Sequence, residues 1–222
     1  METTPLALLL YTAELKLDPS DEEPFLDWYA YRHAPDLYSL GFKVCTCYRA
    51  VIGDMTFLDL YEIPGLKIFD SSGYALMAKN DRYAAPILER RRDKAHTLYE
   101  QRLLSPTTVQ DGPTLDADWI SVLRFNSTLS SEQIAVELAD AVARAMSEGA
   151  LRVRLAERTR DHPVYTTTRP HFLLMAEWSA QPGSGLPLTD QLPDQLSRSV
   201  SDLIPFIGHR VYPWPDIPMV QP

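Results

Sequence analysis

The hydrophobic pattern changes period repeatedly along the first hundred residues. Leu6 to Leu15 is apolar with Tyr11 and Thr12 inside it, as expected for a buried strand. Phe25, Trp28/Tyr29, Arg32/His33, Asp36/Leu37 and Leu40 then recur at three- and four-residue steps, which predicts a helix over Pro24–Leu40. Asp21-Glu22-Glu23-Pro24 suits its start, and Gly41 its end. Phe42 to Val51 and Thr56 to Ile63 have strand composition, separated by a Gly53-Asp54 turn, and Pro64-Gly65 ends the second of them. A second helix is expected from Leu66 to about Lys79. An amphipathic piece over Ala84–Lys94 and a strand over His96–Leu103 follow.

This order, β-α-β-β-α-β, is the ferredoxin-like pattern of an α+β protein. Residues 105–116, with Pro106 and Asp111-Gly112-Pro113, read as a linker. The cycle then begins again. Trp119 to Phe125 is a strand, and Ser130 or Ser131 caps a helix striped by Ile134, Leu138, Ala141, Val142 and Ala145 and ended by Gly149. Leu151–Arg158 and His171–Ser179 are strands, with a turn region at Asp161-His162-Pro163 between them. Thr189–Leu203 is helical, broken by Pro193, and Ile207–Tyr212 is the last strand. The expected organisation is one unit over 1–104, a linker over 105–116, a second unit over 117–213 and an extended proline-rich tail over 214–222.

Two short matches fall at the same points of the two cycles. Phe57-Leu58-Asp59-Leu60-Tyr61-Glu62 aligns with Phe172-Leu173-Leu174-Met175-Ala176-Glu177, and His96-Thr97-Leu98-Tyr99 with His209-Arg210-Val211-Tyr212. They argue for a tandem duplication in which two sheets pack face to face with their helices outside.

Composition narrows the function. A net charge of −9 gives no electrostatic support to a nucleic-acid or anionic-membrane partner. Arg90-Arg91-Arg92, flanked by Glu89 and Asp93, reads as a solvated helical face. Cys45 and Cys47 share one face of a strand, which fits reduced packing thiols in a cytoplasmic protein rather than a redox or zinc motif. Leu6–Leu10 is too short to span a bilayer. The histidines are scattered, with no pair at helical metal spacing, and no Walker, G-x-S-x-G, G-x-G-x-x-G or H-E-x-x-H motif is present.

Polar members of the inward-facing helical stripe are the first candidate chemistry. Tyr29, Arg32, His33 and Asp36 need partners or a cavity, and the bland alternative is a satisfied core histidine. Asp59 lies on the third strand, central in a ferredoxin-like sheet, with Phe57 and Tyr61 on its face. The second unit has Leu174 and Ala176 at the matching positions, so the first would keep a site and the second serve as scaffold. The alternative has Asp59 facing the seam and paired with Arg124 or Arg154. Tyr11 and Tyr48 are candidate cleft linings, and His96 belongs to an architectural pair or a shared rim.

Trp28-Tyr29, His33, Pro35 and Gly41-Phe42 resemble the first-helix signature of the dimeric α/β-barrel superfamily, in its EthD-like or antibiotic-biosynthesis-monooxygenase-like branch. Leu58-Asp59-Leu60-Tyr61-Glu62 followed by Ser71-Ser72-Gly73-Tyr74 resembles that branch's third strand and the start of its second helix. The likeness covers residues 5–104, and covers the second half through topology. It implies an intramolecular dimeric α/β barrel with a ligand cleft between sheet and helices. A homodimer of such pseudo-dimers is one form of further assembly.

The resemblance implies a small-molecule enzyme of secondary metabolism, without organic cofactor or metal. Lyase, cyclase or isomerase chemistry by proton transfer on an aromatic, polyketide-like or terpenoid compound is the leading expectation. Cofactor-free monooxygenation is the first alternative, and haem or small-ligand binding without catalysis the second. His33 would be the acid–base group, oriented by Asp36 or Asp59, with Tyr29 and Tyr61 donating to an oxyanion. Tyr11, Phe25, Trp28, Tyr48 and His96 would line the substrate cleft, and Arg32, where relatives often carry an acid, would hold an acidic substrate group.

Overall fold

The computed structural model describes residues 3–80, 86, 89–106, 115–183 and 192–213. A short strand β1 (Thr4–Pro5) precedes β2 (Leu9–Lys16), α1 (Pro19–Trp28), a π-helical turn (Tyr29–His33), α2 (Ala34–Ser39), β3 (Val44–Ile52) and β4 (Phe57–Ile63). A 3-10 turn at Leu66–Ile68, α3 (Ser72–Asn80) and β5 (Asp93–Ser105) complete the first half. The second half comprises β6 (Trp119–Ser127), α4 (Ser131–Glu137), α5 (Ala139–Ser147), β7 (Ala150–Glu157), β8 (Phe172–Trp178), α6 (Asp194–Ser199) and β9 (Val200–Tyr212).

Each half has the same strand order, β5-β2-β4-β3 and β9-β6-β8-β7. The halves meet edge to edge rather than face to face. β3 pairs with β9 and β5 with β7, all antiparallel, so eight strands close into a barrel with no free edge apart from the short β1. Strand alternation then sends one set of side chains into the barrel and the other toward the helices outside. Leu10, Tyr48, Leu58, Leu60, Tyr99, Ile120, Leu173, Met175 and Phe206 fill the interior.

The interior also holds charge. Arg154, fully buried, reaches Glu62 at 3.2 Å, Gln101 at 2.9 Å and Glu177. Glu14 lies 3.2 Å from buried Arg124 and is bound at both oxygens by Arg169. Removed from water, these groups are tolerable because each charge faces an opposite one. Arg124 and Arg154 are therefore committed inside the barrel, and the expectation that one of them pairs with Asp59 is not met.

The first helix differs from its periodic expectation in start and phase. It begins at Pro19, five residues early, where a proline at the first helical position loses no intrahelical bond. Pro35 cannot donate to the carbonyl one α-turn back, and the chain winds as a π-turn just before it. That wider turn delays the inward face by one residue. His33, Ala34 and Leu37 turn inward, while Arg32 and Asp36 turn to solvent. Gly41 (φ +100°) terminates the helix as expected. Gly73 matters for packing, because a Cβ there would lie 2.6 Å from Leu40 Cδ2, so α3 approaches α2 closely.

Other boundaries shift too. Val200–Leu203, expected as helix, extends β9, whose thirteen residues are needed to pair with both β6 and β3. The Ser130 cap forms a full capping box with Gln133, and the helix it starts is split at Leu138. Parts of the expected Ala84–Lys94 piece, the 105–116 linker and the helix start at Thr189, and all of the 214–222 tail, lie outside the described residues.

Registers support one of the two internal matches. Asp59 opposes Ala13, and Leu174 opposes Leu123, the corresponding position of β6. The His96/His209 match fails, because His96 pairs with Ala13 whereas His209 pairs with Trp119, four residues out of step.

Candidate functional site

The outward face of the first-half sheet, roofed by α1, the π-turn, α2 and α3, carries a cavity of about 200 Å³. Its floor is strand: Tyr11 and Ala13 from β2, Asp59 and Tyr61 from β4, and His96 from β5. Trp28, His33 and Leu37 form the helical wall, and Tyr74 and Met77 come from α3. Arg91 and Lys94, at and before the start of β5, stand beside Tyr165 from the loop that joins β7 to β8. The corresponding face of the second half is filled by Leu123, Phe125, Leu174 and Ala176 packed under Ile134, Leu138 and Val142.

Asp59 is the buried acid of this cavity, 2 % exposed. Burial chiefly, against hydrogen bonding from Cys47 and Tyr61 and with a small push from Glu14, raises its carboxyl to about 7. One carboxylate oxygen, Oδ1, has no hydrogen-bond partner. A carboxyl that titrates near neutrality, inside a cavity and with a free oxygen, can take and return a proton.

Aromatic rings hold the remaining groups. The His33 imidazole stacks on Trp28 with centroids 4.4 Å apart and lies 6.5 Å from Tyr61, edge to face. Tyr11 stacks on Tyr61 at 5.1 Å, and its hydroxyl is 2.8 Å from His96 Nδ1. Burial pushes His96 down to about 3, helped by Lys94, His162 and Arg91, so the ring that shares a hydrogen bond with the Tyr11 hydroxyl is neutral. Burial raises Tyr11 and Tyr61, which keeps both phenols protonated as donors. Tyr74 and Tyr165 extend this cluster of hydroxyls.

Residues of the second half complete the first half's cavity. Tyr165 stacks on His96 at 3.9 Å, and Thr167 Oγ1 donates to the His96 carbonyl at 3.2 Å. His162, buried against Phe69 (4.6 Å) and Tyr11 (5.0 Å), accepts the N–H groups of Val164 and Tyr165 through Nδ1 and fixes the turn. Arg169 anchors the end of the segment on Glu14 and Asp54.

Of the expected site residues, the cavity brings together His33, Asp59, Tyr61, Tyr11, Trp28 and His96. Five others lie elsewhere. Arg32 and Asp36 are exposed because of the π-turn. Phe25 packs on Phe57 in the core, and Tyr29 is fully buried behind His33, 5.5 Å from it. Tyr48 points into the barrel, where its hydroxyl donates to the Ala117 carbonyl at 2.9 Å, since β3 alternation puts Cys45 and Cys47, not Tyr48, on the helix side.

Tyr74, Arg91, Lys94 and Tyr165 are additional lining residues. Tyr74 follows directly on Ser71-Ser72-Gly73, so one turn of helix phase could have found it. Lys94 and Arg91 sit in a run with the signature of a solvated face. Tyr165 reaches the site through barrel closure, for which no local pattern exists. His162, expected as a turn residue, is one, and it also packs against the cavity lining.

No family model matches the chain, and no curated protein matches it in sequence. Solved structures do match in fold. An anthrone oxidase-like protein aligns with TM-score 0.58 at 9 % identity, over 95 % of each chain. A candidate monooxygenase from Lactobacillus acidophilus aligns with TM-score 0.54 at 7 % identity, covering 92 % of this chain and 94 % of the other. A haem-binding protein from Thermus thermophilus aligns with TM-score 0.52 at 11 % identity, covering 94 % and 92 %. Together with the closed eight-stranded barrel, these likenesses show a dimeric α/β-barrel fold, with two ferredoxin-like halves in one polypeptide.

Proposed function

We propose that the protein is a cofactor-independent enzyme of the lyase, cyclase or isomerase kind that moves a proton on a small aromatic or polyketide-like compound. The observation that carries this reading is Asp59, a buried carboxyl with an unpartnered oxygen in an aromatic cavity, held near neutrality. In this reading Asp59 abstracts a proton from an acidic C–H or O–H of the substrate. Tyr11, accepting from the Nδ1–H tautomer of His96, and Tyr61, freed as Asp59 takes the proton, donate to the oxyanion that develops, and His33 returns or relays the proton. Asp59 and Tyr61 are almost fully buried, so their interactions are stronger than in solution. The paired strand order and the Phe57–Glu62 register match support descent of both halves from one unit, one half keeping its cleft and the other filling it.

Cofactor-free monooxygenation in the same cavity is the second reading, supported by the names of two of the fold neighbours. It would start from the same proton abstraction. Haem binding, the third reading, has less support: about 200 Å³ is below the roughly 300–1,000 Å³ usual for ligand pockets. His96 is committed to Tyr11 and covered by Tyr165, and His33 lies flat on Trp28.

The test is hydrogen–deuterium exchange in D₂O, followed by NMR, at the acidic carbon of aryl β-keto acids and esters. Exchange faster than buffer and lost in Asp59→Asn and His33→Ala is the expected result. Exchange equal in the wild type and both variants would overturn the reading. Oxygen consumption in step with substrate loss would select the monooxygenase.

A further inference from the structure

A thiol stands beside the buried acid. In the register of β3 against β4, Cys47 lies directly opposite Asp59, and Ala13 of β2 lies opposite it on the other flank. Directly opposed residues share a sheet face with Cβ atoms about 4.5–5.5 Å apart, within reach of a side-chain hydrogen bond. The Cys47 thiol makes that bond to the Asp59 carboxyl. Cys47 is fully buried and does not line the cavity, so it touches the carboxyl without touching what the cavity holds. Burial, and then the adjacent carboxyl, raise the thiol's pKa, which keeps it protonated and able to donate.

The second half provides a comparison. Leu174 takes the place of Asp59 there, Leu155 opposes it where Cys47 stands, and Leu123 where Ala13 stands. On the face that is filled, the acid, the thiol and the small residue are thus all leucine. Cys45 supplies a second contrast within β3. It shares the face of Cys47 and is as deeply buried, but it opposes Tyr61 and feels the Asp59 charge without bonding to the carboxyl.

We propose that Cys47 is a positioning residue of this site, whose thiol donates to the Asp59 carboxylate and fixes the orientation in which that group takes a proton. The proposal rests on the reading of Asp59 as the base and adds the donor that holds it. A donor to the ionised form favours that form, so the thiol opposes the upward push of burial. Being a weak donor, a thiol restrains the carboxylate and leaves it basic, where a hydroxyl would hold it harder. The other titratable groups facing Asp59 are Tyr11 and, from the barrel side, Glu14 on β2, Cys45 on β3, Tyr61 on its own strand, and Tyr29 and His33 on the π-turn. Across the cavity stand His96 and Lys94 of β5, Arg91 before it, Tyr74 of α3 and Tyr165 of the β7–β8 loop. Burial raises Tyr11, Tyr29, Tyr61 and Cys45 and lowers His96, so none of these changes charge near neutral pH.

The experiment is a carbon-13 NMR titration of the full chain labelled at the aspartate side-chain carboxyls, in which the Asp59 signal is the one missing from Asp59→Asn. Wild type, Cys47→Ser, Cys47→Ala and Cys45→Ala are compared, each checked for an unchanged circular dichroism spectrum, and the series is repeated with His33→Ala to remove the imidazole. From the wild-type midpoint of about 7, Cys47→Ser should move Asp59 down and Cys47→Ala up, each by at least about half a pH unit. Cys45→Ala should leave the midpoint within about 0.2 of wild type, since it removes no bond to the carboxyl. The acid limb of substrate proton exchange should move in the same order, because the base acts only when ionised. Equal midpoints in wild type and both Cys47 variants, or a Cys45→Ala shift as large as that of Cys47→Ala, would overturn the proposal. Should Cys47→Ala fail to fold, the direction of the Cys47→Ser shift decides. Midpoints in the expected order without proton exchange at any pH would leave the thiol's role standing and sink the enzymatic reading alone.

Discussion

Asp59 should make the protein less stable than it could be, and replacing it should raise stability while removing activity. An aspartate carboxyl in the unfolded chain ionises near 3.8, and burial moves the folded group up to about 7. Below pH 3.8 both states hold the proton and the residue costs nothing. Between 3.8 and 7 the unfolded chain releases it and the folded chain does not, so stability falls as pH rises. Above 7 both are ionised and the loss is complete. At 1.36 kcal/mol per pH unit, that interval corresponds to about 4 kcal/mol.

Asp59→Asn keeps the size and removes the ionisation. Because the amide is itself a buried polar group, the expected gain at pH 8 is roughly 2–4 kcal/mol, or roughly 4–16 °C in midpoint for a chain of this length. Urea and thermal melts of both proteins from pH 4 to 8.5 measure it, and subtracting one curve from the other cancels every group they share. The two should agree near pH 4, separate through the acidic range and run parallel above 7. A variant that is no more stable than wild type at pH 8, or a difference independent of pH, would refute the account of Asp59 and its role as base.

Three further outcomes follow from described contacts. Arg154→Ala leaves Glu62 and Glu177 facing each other in the barrel and should cost about 3–5 kcal/mol in urea unfolding; a loss under about 1 kcal/mol would mean water already enters the interior. Cys45 and Cys47 are fully buried with raised thiol pKa values, so a thiol reagent should label them only at the rate of global unfolding. The His96 and His162 imidazoles, pushed to about 3 and about 4, should show no NMR titration between pH 5 and 8, and a midpoint near 6.5 for either would contradict their placement.

The sequence pattern exposed the halves and their strands because both rest on local chemistry: alternation, caps, glycine stops. It located His33, Asp59 and Tyr61 because an ionisable or polar group at a core phase is unusual wherever it occurs. It misplaced Arg32 and Asp36 because helical phase was counted at 3.6 residues per turn, and Pro35 imposes a wider turn just before itself. Tyr48 is expected in the cleft, but strand alternation sets it on the opposite face of β3 from its neighbour Cys47. The seams β3–β9 and β5–β7 join residues far apart in the chain, Ser105 with Val153 and Cys47 with Tyr212, so Tyr165, Thr167 and Arg169 reach the first half by a route that no local pattern contains.

The facing of Glu14 and Arg124 across the barrel has a consequence for how the halves recognise each other. Glu14 opposes Leu58 and Arg124 opposes Leu173, so the two occupy the same place in their respective halves. If two copies of the first half closed a barrel, Glu14 would confront its own twin in the dry interior; two copies of the second half would bring Arg124 against Arg124. Like charges without water at that separation are prohibitive. Each half has become a lock that its own duplicate does not fit. Released as separate fragments, the two should refuse self-pairing and select one another, and strand exchange between neighbouring chains during synthesis is disfavoured unless it restores the same mixed pair.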